Sequence, residues 1–137
     1  MNKFLALAAF FGMLAVMIGA FGAHGLEDIL SEHAKQRYQT GVSYQFYHVA
    51  ALLVIGVLSA IQNSSHKNQP RLLTFSGMFF VLGILLFSGS LYLYALTGKT
   101  YFGIITPVGG LSFIAGWLCL LVFSMKSTNS AQLIHKQ

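Results

Sequence analysis

Four apolar runs of about 20 residues constrain this chain more than any other feature. They are Phe4 to Ala23, about Tyr44 to Ile61, about Leu72 to Leu96 and about Ile104 to Met125, and none contains Asp, Glu, Lys or Arg. A helix that crosses the roughly 30 Å hydrocarbon core of a bilayer needs about 20 such residues. Hydrocarbon offers backbone groups no water, so each run must close its own hydrogen bonds as a helix. Composition agrees. Only 8% of the 137 residues are charged and 55% are hydrophobic, whereas a soluble domain carries about 25% charged residues. The expected fold class is all-α: a polytopic membrane protein, an antiparallel four-helix transmembrane bundle. It occupies residues 1–126 as one domain, with 127–137 as a mobile tail.

The first run has Lys3 before it and the small residues Ala20 and Gly22 near its end, as a signal peptide would. Its apolar stretch exceeds the roughly 7–15 residues of a signal peptide, so it is expected to be a retained span. The first break, Leu26 to Gly41, is the longest. Leu26, Ile29, Leu30 and His33 recur in it at helical spacing, and Asp28 or Ser31 stands near a helix start. That pattern fits an amphipathic helix over 26–40 lying on the membrane surface, or equally a solvated loop. The second break is the polar loop from Gln62 to Arg71, with Pro70 just before the third run; Thr97 to Gly103 is a tight connection. If the N-terminus lies inside, Lys3, Lys67, Arg71, Lys126 and Lys136 share the inner side, and Lys35, Arg37 and Lys99 the outer. Five against three favours both termini in the cytoplasm.

Lipid provides no hydrophobic drive between helices, so small residues and polar contacts must hold them together. Ala8, Gly12, Ala15, Gly19 and Ala23 lie on one face of the first span. Ser76, Gly83 and Ser90 line the third, and Gly109, Ser112, Gly116 and Cys119 the fourth. These stripes predict close helix packing.

Polar residues gather at one end of such a bundle. His24 closes the first span; Tyr44, Gln45, Tyr47 and His48 open the second. Ser88, Ser90, Tyr92 and Tyr94 lie late in the third, and Thr106 and Pro107 open the fourth. An up-down-up-down path brings all of them to one leaflet, the outer one by the charge bias. Each such group needs a partner in lipid, and a network among His24, Tyr44, Gln45, His48 and Ser90 would supply them. The cluster has two readings: interhelical glue with an aromatic belt, or a small pocket for a lipid or quinone.

Other chemistry fits less well. His24 and His48 form a single pair for haem or a metal, and no carboxylate or cysteine stands beside His33 at ligand spacing. Ser88 and Ser90 lack a nucleophile context, and no acidic residue lies in any span. The net charge of +5 is scattered and matches no nucleic-acid motif. Cys119 is the single cysteine, which excludes an internal disulfide. No cofactor and no enzymatic activity are expected. Membrane lipid is the expected partner, with a second copy of the chain left open.

Four blocks also carry a resemblance: GAFGAHGL at 19–26, TGVSYQFYHVAALL at 40–53, FSGSLYLYALTG at 87–98 and ITPVGGLSFIAGW at 105–117. In this order they resemble the transmembrane protein 256 family of small membrane proteins, a domain of unknown function. The resemblance implies a four-span bundle in a bacterial inner membrane or an organelle membrane, and no activity. Its motif positions fall here on His24, Tyr44, Gln45, Tyr47, His48, Ser88, Ser90, Tyr92, Thr106, Pro107, Gly109, Gly110 and Trp117. The chain departs from it at Ser43, where a basic residue is expected.

Overall fold

The structure, a computed structural model, describes residues 2–64 and 71–134, and the side chains of 2–62 and 71–126. Helix α1 spans Lys3–His24. Asn2 starts it: its side-chain oxygen accepts from the amides of Phe4 and Leu5, which satisfies two of the otherwise orphaned donors at a helix N-terminus. The Asn2 amide also donates to the Gly56 carbonyl and ties the start of α1 to the second span.

Helix α2 spans Glu32–Ser64, so the second span begins at Glu32 rather than at Tyr44. Ser31 caps it by accepting from the Ala34 amide at 3.4 Å, and Glu32 adds a carboxylate to the positive first turn. The surface helix expected over 26–40 therefore does not form as a separate element. Residues 25–30 are turns and bends, and 32–40 are the first turns of α2. The apolar spacing serves another surface. Leu26, Ala34, Tyr38 and Val42 are buried together with Ala95, and Leu30 packs against them. These residues plug the end of the bundle instead of lying in the lipid.

The third span is interrupted. Helix α3, Arg71–Gly83, leads into a π-helical turn over Ile84–Ser88 and then helix α4, Gly89–Thr97. In the wide turn the Gly89 amide donates to Ile84, five residues back. Gly98, in the left-handed region at φ 68°, ends α4, a conformation that favours glycine. Helix α5 runs over Tyr101–Ile134 with Pro107 inside it. Residues 127–134, expected in the tail, are thus helical in backbone. The rest of that tail, 135–137 with Lys136, and the loop residues 65–70 with Lys67 and Pro70 lie outside the described residues.

Four helical segments, Lys3–His24, Glu32–Gln62, Arg71–Thr97 and Tyr101–Lys126, are long and apolar enough to cross a membrane. The second and third are central, with 44% and 39% of their most apolar stretches buried, against 22% for the first and fourth. Helix α1 packs on α2, and α3 packs on α5.

Glycine against aromatic is the rule at the α3–α5 seam. A Cβ at Gly116 would meet the Phe80 ring at 2.7 Å, one at Gly83 would run into the Phe113 ring, and one at Gly109 into the backbone of Phe87. Two hydroxyls stitch the same seam. Ser76 donates to the Gly116 carbonyl at 2.8 Å and Ser112 to the Phe79 carbonyl at 3.0 Å. At the α1–α2 seam Ala8 and Ala15 are buried, while Gly12 faces Val49 and Gly19 faces Val42. Gly109→Ala should therefore cost about 1–3 kcal/mol through overpacking. Gly89→Ala meets nothing within 4 Å and should be neutral or gain up to about 1 kcal/mol of helix propensity. Thermal denaturation in detergent micelles compares the two, and equal midpoints would refute the close approach at Gly109.

Candidate functional site

Helix register sets the depth of the polar residues. Since Val42 lies at Gly19 and Val49 at Gly12, Gln45 and His48 lie at the depth of the middle of α1. Apolar spacing alone puts them at the outer end of the second span. The structure places them halfway along, because α2 starts earlier: His48 lies 16 residues beyond Glu32, about 24 Å along the helix axis.

Gln45 is 2% exposed, and both ends of its amide are used. Its Nε2 donates to the Phe11 carbonyl at 2.8 Å, and its Oε1 accepts from the Tyr92 hydroxyl at 2.8 Å. One side chain of α2 thereby joins α1 to α4. Tyr92 can reach it because Gly41 lets the ring lie against α2; a Cβ there would stand 2.8 Å from that ring. Tyr38 adds a parallel link, donating to the Ile18 carbonyl at 2.8 Å, with its ring 5.2 Å from that of Tyr92.

His48, also buried, lies on the other side of α2 in an aromatic box. Its ring stacks on Phe113 at 3.4 Å and 6°, with Phe80 at 5.5 Å and Trp117 at 6.2 Å. Nδ1 is 2.7 Å from the Tyr44 carbonyl. A carbonyl only accepts, so Nδ1 carries the hydrogen. Nε2 is then left to accept from the Trp117 indole N–H at 3.3 Å. The neutral Nδ1–H tautomer meets both partners, which leaves neither ring nitrogen for haem or a metal.

The remaining candidates divide. Ser90 and Thr106 meet at 2.8 Å and join α4 to α5, with Ser90 also donating to the Phe87 carbonyl. Ser88 is fully buried, and its hydroxyl has no hydrogen-bond partner. Tyr44 contributes its carbonyl and a ring stacked 4.5 Å from that of Phe87. Tyr47 is 63% exposed and enters none of these bonds. His24 is exposed at the end of α1, and no bond of the Gln45 or His48 groups reaches it. In place of the single network expected among His24, Tyr44, Gln45, His48 and Ser90, the structure has three smaller sets, and His24 is in none of them. Among the described residues no group of three or more His, Cys, Asp or Glu could hold a metal ion.

Spacing within the second span found Gln45 and His48 but missed three partners: the Phe11 carbonyl, the Phe113 ring and the Trp117 indole. Trp117, the one tryptophan, carried the only signal, as a motif position of the resemblance. A double-mutant cycle of Gln45→Leu and Tyr92→Phe should give a coupling of about 0.6–1.7 kcal/mol, between the average and the maximum measured for hydrogen bonds between membrane helices. Additive effects in thermal unfolding would show that the two side chains do not meet.

Comparison with known proteins gives the chain a family. Residues 18–110 match the family described as Protein of unknown function (DUF423). The UPF0382 membrane protein SH2409 of Staphylococcus haemolyticus is 43% identical over 126 residues, covering 92% of this chain and 98% of that protein. The UPF0382 membrane protein of Haemophilus influenzae is 42% identical over 92% of this chain and 96% of its own length. For the UPF0382 membrane protein YwdK of Bacillus subtilis the values are 39%, 92% and 98%. No solved structure matches the chain. These relatives are named for the membrane that four long apolar helices require, and the chain belongs to the DUF423 family of membrane proteins.

Proposed function

We propose that this protein is a structural or accessory component of the bacterial cell membrane and carries out no catalysis of its own. The observation that carries this reading is the state of Gln45 and His48. Both ends of the Gln45 amide and both ring nitrogens of His48 are matched by other parts of the same chain. A substrate or redox cofactor at that depth would have to displace helix–helix bonds that hold the spans together. Polar side chains bonded in this way act as interhelical glue. The competing reading, a pocket for lipid or quinone around His48, requires an open polar face that the aromatic box fills instead. The likeness to the transmembrane protein 256 family belongs to the same reading, since it too implies a four-span component without an assigned activity.

His48→Phe and Trp117→Phe should both lower the thermal midpoint in detergent, while organic extracts of wild type and variants show the same small molecules by mass spectrometry. A quinone or other compound present in wild type and lost from His48→Phe would overturn the structural role.

Orientation is the second element. Lysine and arginine favour both termini inside, and the bacterial relatives make the cell membrane the natural location. A C-terminal green fluorescent protein fusion should fluoresce, and a cysteine introduced at Ile29, which is 74% exposed, should react with a membrane-impermeant maleimide in whole cells. The reverse pattern would invert the topology.

A further inference from the structure

A different part of the molecule has chemistry that the polar core does not use. Where α2, α4 and α5 meet, an open cleft of about 360 Å³ is lined by Phe87, Leu91 and Pro107, together with Thr106, Arg37 and Tyr94. The Arg37 guanidinium lies 4.3 Å from the centre of the Tyr94 ring. Among the described residues no salt bridge involves Arg37, and Glu32 is paired with Lys35. The ring takes the face of the guanidinium, and its N–H fork, which matches phosphate oxygens in pairs, is left available.

Depth selects the ligand. Arg37 precedes Tyr38, whose hydroxyl bonds Ile18 and whose ring covers Gly22, close to the end of α1 at His24. Arg37 is therefore at the level where a span of this length leaves the hydrocarbon and lipid phosphates begin. Phe87 stacks on Tyr44, seven residues further along α2, so the cleft extends about 10 Å from the guanidinium into the apolar layer. A cation at head-group depth above an apolar cleft fits an amphiphile with an anionic head and a hydrocarbon tail.

We propose that this cleft holds an anionic phospholipid, with its phosphate on Arg37 and one acyl chain against Phe87, Leu91 and Pro107. Charge complementarity picks the anionic lipid over a zwitterionic one, whose own ammonium compensates its phosphate.

The test uses full-length protein in nanodiscs of phosphatidylcholine containing increasing phosphatidylglycerol. Lipid retained after transfer to detergent is counted by native mass spectrometry. Wild type should retain phosphatidylglycerol in preference to phosphatidylcholine. Arg37→Gln should reduce that retention about fivefold, the effect of removing about one basic side chain's attraction to an anionic surface. Arg37→Lys should restore part of it, and Leu91→Trp should lower it by filling the cleft. Far-ultraviolet circular dichroism of each variant in lipid-free detergent separates lost binding from lost folding. Three results would overturn the site: equal retention of both lipids by wild type, unchanged retention in correctly folded Arg37→Gln, or a dimer mass in place of bound lipid.

Discussion

Helices surrounded by hydrocarbon gain nothing by hiding leucine from it, so the contact between α3 and α5 depends on surfaces that meet at short range. At Gly116 and Gly83 a missing side chain makes room for a phenyl ring, and just beyond the end of α3 the backbone of Gly109 lies directly against that of the π-helical turn. That closeness has a second effect. It brings the carbonyls of Gly116 and Phe79 within reach of the short serine side chains at 76 and 112, which would be too far away at ordinary helix spacing. Dispersion and hydrogen bonding therefore depend on the same glycines. Phe113 and Phe80, positioned by this seam, are also two walls of the box around His48, so this buried polar group rests on the α3–α5 contact although it belongs to α2.

The buried polar groups show a division of labour. Gln45 faces α1 and α4 and connects three helices through two ends of one amide. His48 faces α5 and uses both nitrogens of a ring in one tautomer. An isolated donor or acceptor at that depth would cost several kcal/mol. At Gln45 and His48 the chain meets this by matching each polar atom to a carbonyl, a phenol or an indole, groups that carry no charge.

The existence of four spans, their apolar cores and the small-residue stripes were legible in the sequence because each is a local property of composition and spacing. In the structure Gly12 and Gly19 of α1 face valines of α2, Gly83 and Gly116 lie against phenyl rings between α3 and α5, and Gly109 lies against the π-helical turn. Two features were not legible. The start of α2 was hidden because Ala34, Tyr38 and Val42 repeat at a spacing that serves a surface helix and a bundle end equally well, and only the position of α1 decides between them. The error in that start moved the polar residues of α2 from the middle of the span to its edge, and drew His24 into a network it does not join. The partners of His48 were hidden for another reason. The Tyr44 carbonyl and the Phe113 ring carry no polar side-chain signal, and Trp117 lies a full span away, so only the fold brings them together.

The π-helical turn at Ile84–Ser88 has a consequence for the third span as a whole. Each residue advances a helix by about 100°, and a wide turn holds one more residue than an α-helical turn of the same rise. Helix α4 is therefore rotated about the span axis relative to α3. Below the turn the span serves α5 through Ser76, Phe80 and Gly83; above it Ser90 still serves α5 while Tyr92 serves α2. One helix thus supplies two faces to two neighbours by a change of phase. The segment is the molecule's adjustable joint: a residue lost there would leave α3 seated in its groove yet swing Tyr92 away from Gln45, so the length of this span is fixed by hydrogen bonding as firmly as by the thickness of the membrane.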